Sequence, residues 1–172
     1  MVKKKCCVFI SGVGTNLTAL IKSTREYNFP VKIDLVISNK KNSKGLNLAK
    51  MYSIDYRTYN TNKRKQLETL LNELNKRKIA LICLAGYMKI LPKEFINRFK
   101  GKIINIHPSL LPKYKGLNTF AKAIKNGDKL AGCSVHYVNE KLDSGKIILQ
   151  KKVPIAKNET EESLKIKIQK KE

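Results

Sequence analysis

The run Ile79-Ala80-Leu81-Ile82-Cys83-Leu84-Ala85 carries no polar side chain. Strand residues alternate between two faces, so a strand without a polar face must be covered on both. A sheet with one wet face cannot accommodate it. A sheet layered on both sides by helices can.

The flanking segments supply that pattern. Lys5 to Ser11 is a second apolar run, and Thr15 to Tyr27 then repeats apolar residues at Leu17, Leu20 and Ile21, which reads as strand, glycine loop and helix. Val31 to Ser38 is a strand rich in β-branched residues, followed by a helical stretch with Leu46, Leu48, Ala49 and Met51. Ile54 to Tyr59 reads as a short strand. Leu67, Leu70, Leu71 and Leu74 mark an amphipathic helix between Asn62 and Lys78. Beyond the Ile79 run, Pro92 opens a short helix through Phe99, and Lys102 to Ile106 is the next strand. A helix over Thr119 to Lys125 precedes two strands, Ala131 to Asn139 and Lys146 to Ile155. Alternating strands and helices specify an α/β, doubly wound, mostly parallel sheet with helices on both faces. Ligands of such sheets sit outside the carboxyl ends of the strands.

A final helix is announced by Asn158 and Glu161, spaced as a capping box. Glu159, Glu161 and Glu162 lie at its start and Lys170 and Lys171 at its end, as the helix dipole favours. No glycine or proline stop follows before Glu172, and Leu164 and Ile168 need a partner surface. The expectation is one domain over residues 1–172 that lacks its C-terminal end.

Composition narrows the function classes. At 172 residues and 42% hydrophobic, the chain has the size and composition of one globular domain. Cys6, Cys7 and Cys83 lie inside apolar runs, no cysteines form a C-x-x-C pair, and the two histidines are far apart, so buried free thiols are expected and no metal site. The apolar stretch Cys6 to Ile10 is too short for a secretory signal, and no segment approaches a membrane span. A cytoplasmic protein with no membrane partner is expected. The net charge of +23 invites a nucleic-acid reading, but the excess is nearly all lysine, spread everywhere as a residue-usage bias would leave it. No nucleic-acid partner is expected, although the charge favours anionic ligands.

Three stretches carry chemistry. Ser11-Gly12-Val13-Gly14-Thr15-Asn16-Leu17 joins the first strand to the first helix, where glycines allow close backbone approach and the helix start offers N–H groups to an anion. It lacks the third glycine of a dinucleotide fingerprint and the G-K-[ST] of a P-loop, so it is consistent with a phosphate site or with a simple strand-to-helix turn. Asn105 and His107 are two apart at a strand end and project from one side, pairing an oxyanion donor with a group that carries a proton near neutral pH. Leu142-Asp143-Ser144-Gly145 is a turn between strands, from which a carboxylate beside His107 would orient its ring; a solvated turn aspartate is the plainer alternative. His136 sits mid-strand and reads as a hydrogen-bonded core or supporting residue.

These motifs, with Leu84-Ala85-Gly86-Tyr87-Met88-Lys89-Ile90-Leu91, Asn105-Ile106-His107-Pro108-Ser109-Leu110-Leu111-Pro112 and Ser134-Val135-His136, resemble the phosphoribosylglycinamide formyltransferase family from Val8 to the last residues. The resemblance implies a single Rossmann-like formyltransferase domain. It implies transfer of a formyl group from 10-formyltetrahydrofolate, as co-substrate, to the amine of a phosphoribosylglycinamide, with small molecules as the partners and a monomer or weak homodimer as the assembly. Carried over, Asn105, His107 and Asp143 are the catalytic trio. Gly14, Thr15 and Asn16 cradle the substrate phosphate, and Gln169 and Glu172 contact the glycinamide substrate. Met88, Lys89, Ile90 and Leu91 line the folate pocket, and Asn139, Glu140, Lys141, Leu142 and Asp143 close it. Lys63 and Arg64 compete for the folate tail, with Arg64 the choice here. Asn118 stands where the family commonly has histidine. Methionyl-tRNA formyltransferase and formyltetrahydrofolate deformylase share the formyl-folate site, but each carries a further domain.

Overall fold

The computed structural model describes residues 2–172. In chain order the elements are β1 (Lys4–Ile10), α1 (Thr15–Arg25), β2 (Val31–Ser38), α2 (Lys44–Met51), β3 (Tyr56–Thr58), α3 (Arg64–Lys76), β4 (Leu81–Leu84), α4 (Lys93–Arg98), β5 (Lys102–His107), α5 (Thr119–Lys125), β6 (Leu130–Tyr137), β7 (Ile147–Pro154) and α6 (Glu161–Gln169). The strands form a seven-stranded, mostly parallel sheet in the order β3-β2-β1-β4-β5-β6-β7. By its internal contacts the chain divides into two compact units, one ending at Ile104 and one spanning Asn105–Glu172.

In the first unit β1 pairs in parallel with both β2 and β4. Cys6 through Ile10 are buried, as are Ile82, Cys83 and Leu84, which is the two-sided burial that the unbroken apolar runs demand. Leu17 and Ile21 of α1 and Leu46 and Ala49 of α2 pack with Cys6, Val8, Ile10 and Val36. The cysteines are free and buried. Cys6 and Cys83 lie on the neighbouring strands β1 and β4 with their Sγ atoms 3.6 Å apart. That contact with Cys83 and then burial push the Cys6 thiol well up, so it is inert as a nucleophile. β3 is shorter than its sequence pattern indicates, and all three of its residues are exposed, as befits an edge strand.

In the second unit β6 and β7 are antiparallel, with Leu130 opposite Pro154 and His136 opposite Ile147. Leu164 and Ile168 of α6 find their partner surface in Ala123, Ala131, Cys133 and Val153. The final helix starts differently from its sequence signature. Its N-cap is Thr160, whose hydroxyl accepts from the Ser163 N–H at 3.1 Å while the Ser163 hydroxyl accepts from the Thr160 N–H at 3.1 Å. The two possible frames, N-E-T-E and T-E-E-S, overlap by two residues. A turn closed by the Glu159 N–H on the Ala156 carbonyl delays the helix and selects the second.

Candidate active site

The glycine loop follows β1 in the first unit. Gly14 is the N-cap of α1 at φ 90°, a left-handed conformation that glycine adopts freely, and it brings no side chain to the helix start. No acidic residue occupies the first turn, which leaves the positive end of the helix dipole uncompensated by the helix itself. The buried Ser11 fixes the loop, donating to Asn39 Oδ1 at 2.6 Å and accepting from the Met88 N–H at 2.8 Å. The Gly86-Tyr87-Met88 turn is thereby tied to the end of β1. Along that segment Met88 and Ile90 are exposed while Leu91 is buried. Lys89 is exposed too. Arg64 is the first residue of α3, and Lys63 is its N-cap.

The second unit holds the Asn105, His107 and Asp143 cluster. β5 runs one residue further than its sequence pattern and ends on His107. Asn105 and His107 lie on one side of the strand, and both reach Asp143. Asn105 Nδ2 is 3.4 Å from Asp143 Oδ1, and His107 Nδ1 is 3.4 Å from Asp143 Oδ2. The carboxylate is held from further directions, by the Gly116 N–H at 2.9 Å on Oδ2 and by His136 Nε2 at 3.5 Å from Oδ1. Asp143 has φ 43°, sparsely populated for a residue with a Cβ, and these partners are what hold it there. Two positions on, Gly145 lets the turn close: a Cβ there would lie 1.7 Å from the Tyr137 carbonyl oxygen. The turn aspartate is therefore enclosed by polar partners and not solvated, its side chain only 8% exposed.

Burial pushes the Asp143 carboxyl up. Hydrogen bonds from His136 and the Gly116 N–H, and the charges of His107 and His136, outweigh that, so the group ends below its ordinary value and is ionised near neutrality. The sign for stability follows. A carboxyl lowered by folding contributes stability that is present above its unfolded value, about 3.9, and lost as pH falls through the folded one. The unfolding free energy of Asp143→Asn is expected to fall less steeply than that of the wild type as pH drops below about 4. Denaturant titrations of both proteins across that window check this; parallel curves would contradict it.

The two imidazoles have their proton positions set by carbonyls, which only accept. His107 Nε2 lies 2.9 Å from the Tyr114 carbonyl, so Nε2 carries a proton and Nδ1, facing Asp143, is the nitrogen that exchanges one. His136 Nδ1 donates to the Tyr137 carbonyl at 2.8 Å, and its Nε2 lies 3.2 Å from Asn105 Nδ2 and 3.5 Å from Asp143 Oδ1. The Asn105 amide group therefore sits beside both His136 and Asp143. A register shift of the β6–β7 ladder between Val135 and His136 accompanies this placement, as bulges beside functional sites often do.

Sequence reasoning left His136 between a core role and a supporting one, and its buried ring lies 3.2 Å from Asn105 Nδ2 and 3.5 Å from Asp143 Oδ1. Sequence reasoning gave no part to Tyr114 or Gln150, and quoted Ser134 only within a motif. The buried Ser134 hydroxyl donates to the Ser109 carbonyl at 2.6 Å and accepts from the Leu111 N–H at 3.0 Å. Gln150 Nε2 donates to the Leu111 carbonyl at 2.9 Å and to Ser134 Oγ at 2.8 Å. Both fasten the proline loop that follows His107. Asn139 to Leu142 is an exposed turn in which Asn139 Oδ1 accepts from the Lys141 N–H at 3.0 Å. Gln169 ends α6 and is exposed, and Glu172 is half-buried. Among the described residues no group of three or more His, Cys, Asp or Glu is placed to hold a metal, and no helix is long and apolar enough to cross a membrane.

The cluster has an acceptor carboxylate, an imidazole with one exchanging nitrogen and a carboxamide donor, which suits addition to a carbonyl with proton transfer. Comparison with known proteins agrees. Residues 4–172 match the family described as formyl transferase. The phosphoribosylglycinamide formyltransferase of Haemophilus influenzae is 48% identical over 156 residues, covering 88% of this chain and 74% of that protein. The trifunctional purine biosynthetic protein adenosine-3 of Chironomus tentans is 46% identical over 173 residues, 94% of this chain and 12% of that much longer protein. Among solved structures, the phosphoribosylglycinamide formyltransferase from Anaplasma phagocytophilum aligns with a TM-score of 0.89 at 44% identity, covering 96% of this chain and 79% of that one.

Proposed function

The chain belongs to the phosphoribosylglycinamide formyltransferase family, and we propose that it transfers the formyl group of 10-formyltetrahydrofolate to the amine of 5-phosphoribosylglycinamide in de novo purine biosynthesis. The observation that carries this reading is the convergence of Asn105 and His107 on one ionised carboxylate, Asp143, in a chain of that family.

In the reaction, the glycinamide amine forms a bond to the formyl carbon, whose oxygen gains negative charge. The Asn105 carboxamide and the protonated His107 ring donate to that oxygen. The bond from the formyl carbon to the folate nitrogen then breaks. His107 gives its Nδ1 proton to the departing nitrogen and regains one from the attacking amine, so charge and atoms balance. Asp143, facing Nδ1, orients the ring. The Asn105 and His107 contacts to Asp143, at 3.4 Å, are long for charge-assisted hydrogen bonds, as is common before substrate arrives.

Binding roles divide by segment. Gly14, Thr15 and Asn16 hold the phosphate at the α1 terminus, and Gln169 and Glu172 meet the glycinamide group. Met88, Lys89, Ile90 and Leu91 contact the folate, with the exposed Met88 and Ile90 offering apolar surface, and Arg64 meets its tail. In the second unit, Asn139 to Asp143 contact the folate, with Leu142 exposed. The protein acts in the cytoplasm on small molecules alone, with neither nucleic acid nor membrane as partner, as a monomer or a weak homodimer.

Titration calorimetry tests this division. Asn16→Leu is expected to weaken binding of phosphoribosylglycinamide while leaving formyl-folate affinity almost unchanged, and removing the phosphate from the substrate should weaken binding to the wild type in the same way. Equal losses for both ligands, or no wild-type binding of the ribonucleotide, would overturn the assignment.

A further inference from the structure

We propose that Asp128 and Asn126 are positioning residues for His107, acting through the side chain of Tyr114; as a statement about catalysis this rests on the function proposed above. The carbonyl that fixes the proton on His107 Nε2 belongs to Tyr114, whose backbone is left-handed at φ 55°. An aromatic residue adopts that conformation only when its surroundings impose it. Here the imposing contacts are at the far end of its own ring. The Tyr114 hydroxyl donates to Asp128 Oδ2 at 2.9 Å and accepts from Asn126 Nδ2 at 2.9 Å.

Both partners come from the turn that ends α5, where the Asn126 N–H bonds the Lys122 carbonyl and the Asp128 N–H bonds the Ala123 carbonyl at 3.1 Å. Asp128 is fixed in turn by Lys113 Nζ at 3.0 and 3.2 Å, which also holds its carboxyl below the ordinary value, so it is an ionised acceptor. The ring packs on the Ala123, Ala131 and Cys133 cluster. Two residues after Tyr114, the Gly116 N–H donates to Asp143 Oδ2. The segment Lys113–Gly116 thus places a carbonyl on one member of the catalytic pair and an N–H on the other, and its only tyrosine clamps the segment to α5. Freed from that clamp, the peptide can relax toward ordinary φ and withdraw its carbonyl, and the imidazole loses the contact that dictates its tautomer.

Tyr114→Phe keeps the ring and removes only the hydroxyl. Asp128→Ala removes its acceptor, and Asp128→Asn retains one. For the first two, ¹⁵N NMR of the ligand-free protein is expected to show His107 ring signals shifted toward mixed tautomers. Their kcat should fall about tenfold, the low end of the scale on which partners of a functional imidazole act, with KM for both substrates near the wild-type value. Asp128→Asn should restore most of both. Unchanged His107 signals in Tyr114→Phe and Asp128→Ala, each folded by circular dichroism, would overturn the proposal whatever happens to kcat. The nitrogen signals need no substrate, so this outcome is separable from failure of the formyl-transfer reading, which would show as an absence of turnover in the wild type.

Discussion

His107→Ala is expected to lower turnover by about 10²- to 10⁴-fold, the usual worth of a positioned general acid–base, and Asp143→Asn to lower it by a similar factor. The reasons differ. The alanine removes the nitrogen that carries the proton. The amide leaves the imidazole in place but takes away the carboxylate that faces Nδ1, and its N–H₂ group can face the Gly116 N–H, where only an acceptor fits. Circular dichroism and thermal unfolding should show both variants folded, and calorimetry should show both substrates bound. Near-normal kcat in either variant would remove that residue from the chemistry.

Gly145→Ala is expected to be the most damaging single methyl group in the second unit. An added Cβ would sit 1.7 Å from the Tyr137 carbonyl oxygen and 2.7 Å from its carbon, both backbone atoms that no side-chain rotation can clear. The end of the β6–β7 hairpin must open, where the Tyr137 N–H now donates to the Lys146 carbonyl at 2.9 Å. Overpacking of this kind costs about 1–3 kcal/mol or more, and the shift is passed to Asp143 two residues away. Loss of both stability and turnover is expected in denaturant melts and steady-state kinetics. A variant with the wild-type midpoint and kcat would show that the turn is not held as described.

The parts of this structure that were legible in the sequence are those written in side-chain period. Two-faced burial of β1 and β4 follows from unbroken apolar runs, and the leucines of α3 mark its buried face. Asn105 and His107, two apart, had to share a side of β5, and a turn aspartate was a reasonable third member. What was not legible is carried by the backbone. Nothing in the letter Tyr marks residue 114 as left-handed, or its carbonyl as the partner of His107. The register shift beside His136 has no local signature either, so its place beside Asn105 and Asp143 could not be separated from a core role. The final helix shows a third kind of failure, in which the Asn158–Glu161 spacing was chemically sound and the preceding turn overruled it.

Transfer itself is the most direct measurement of the central claim. The purified chain is given 10-formyltetrahydrofolate with an isotope-labelled formyl group, in the presence of equal amounts of phosphoribosylglycinamide and methionyl-tRNA, and the products are separated. The label is expected on the glycinamide nitrogen of the ribonucleotide, with His107→Ala showing almost none. Label on the methionyl-tRNA, label released as free formate, or no transfer from a folded chain that instead binds nucleic acid with a steep salt dependence would contradict the account.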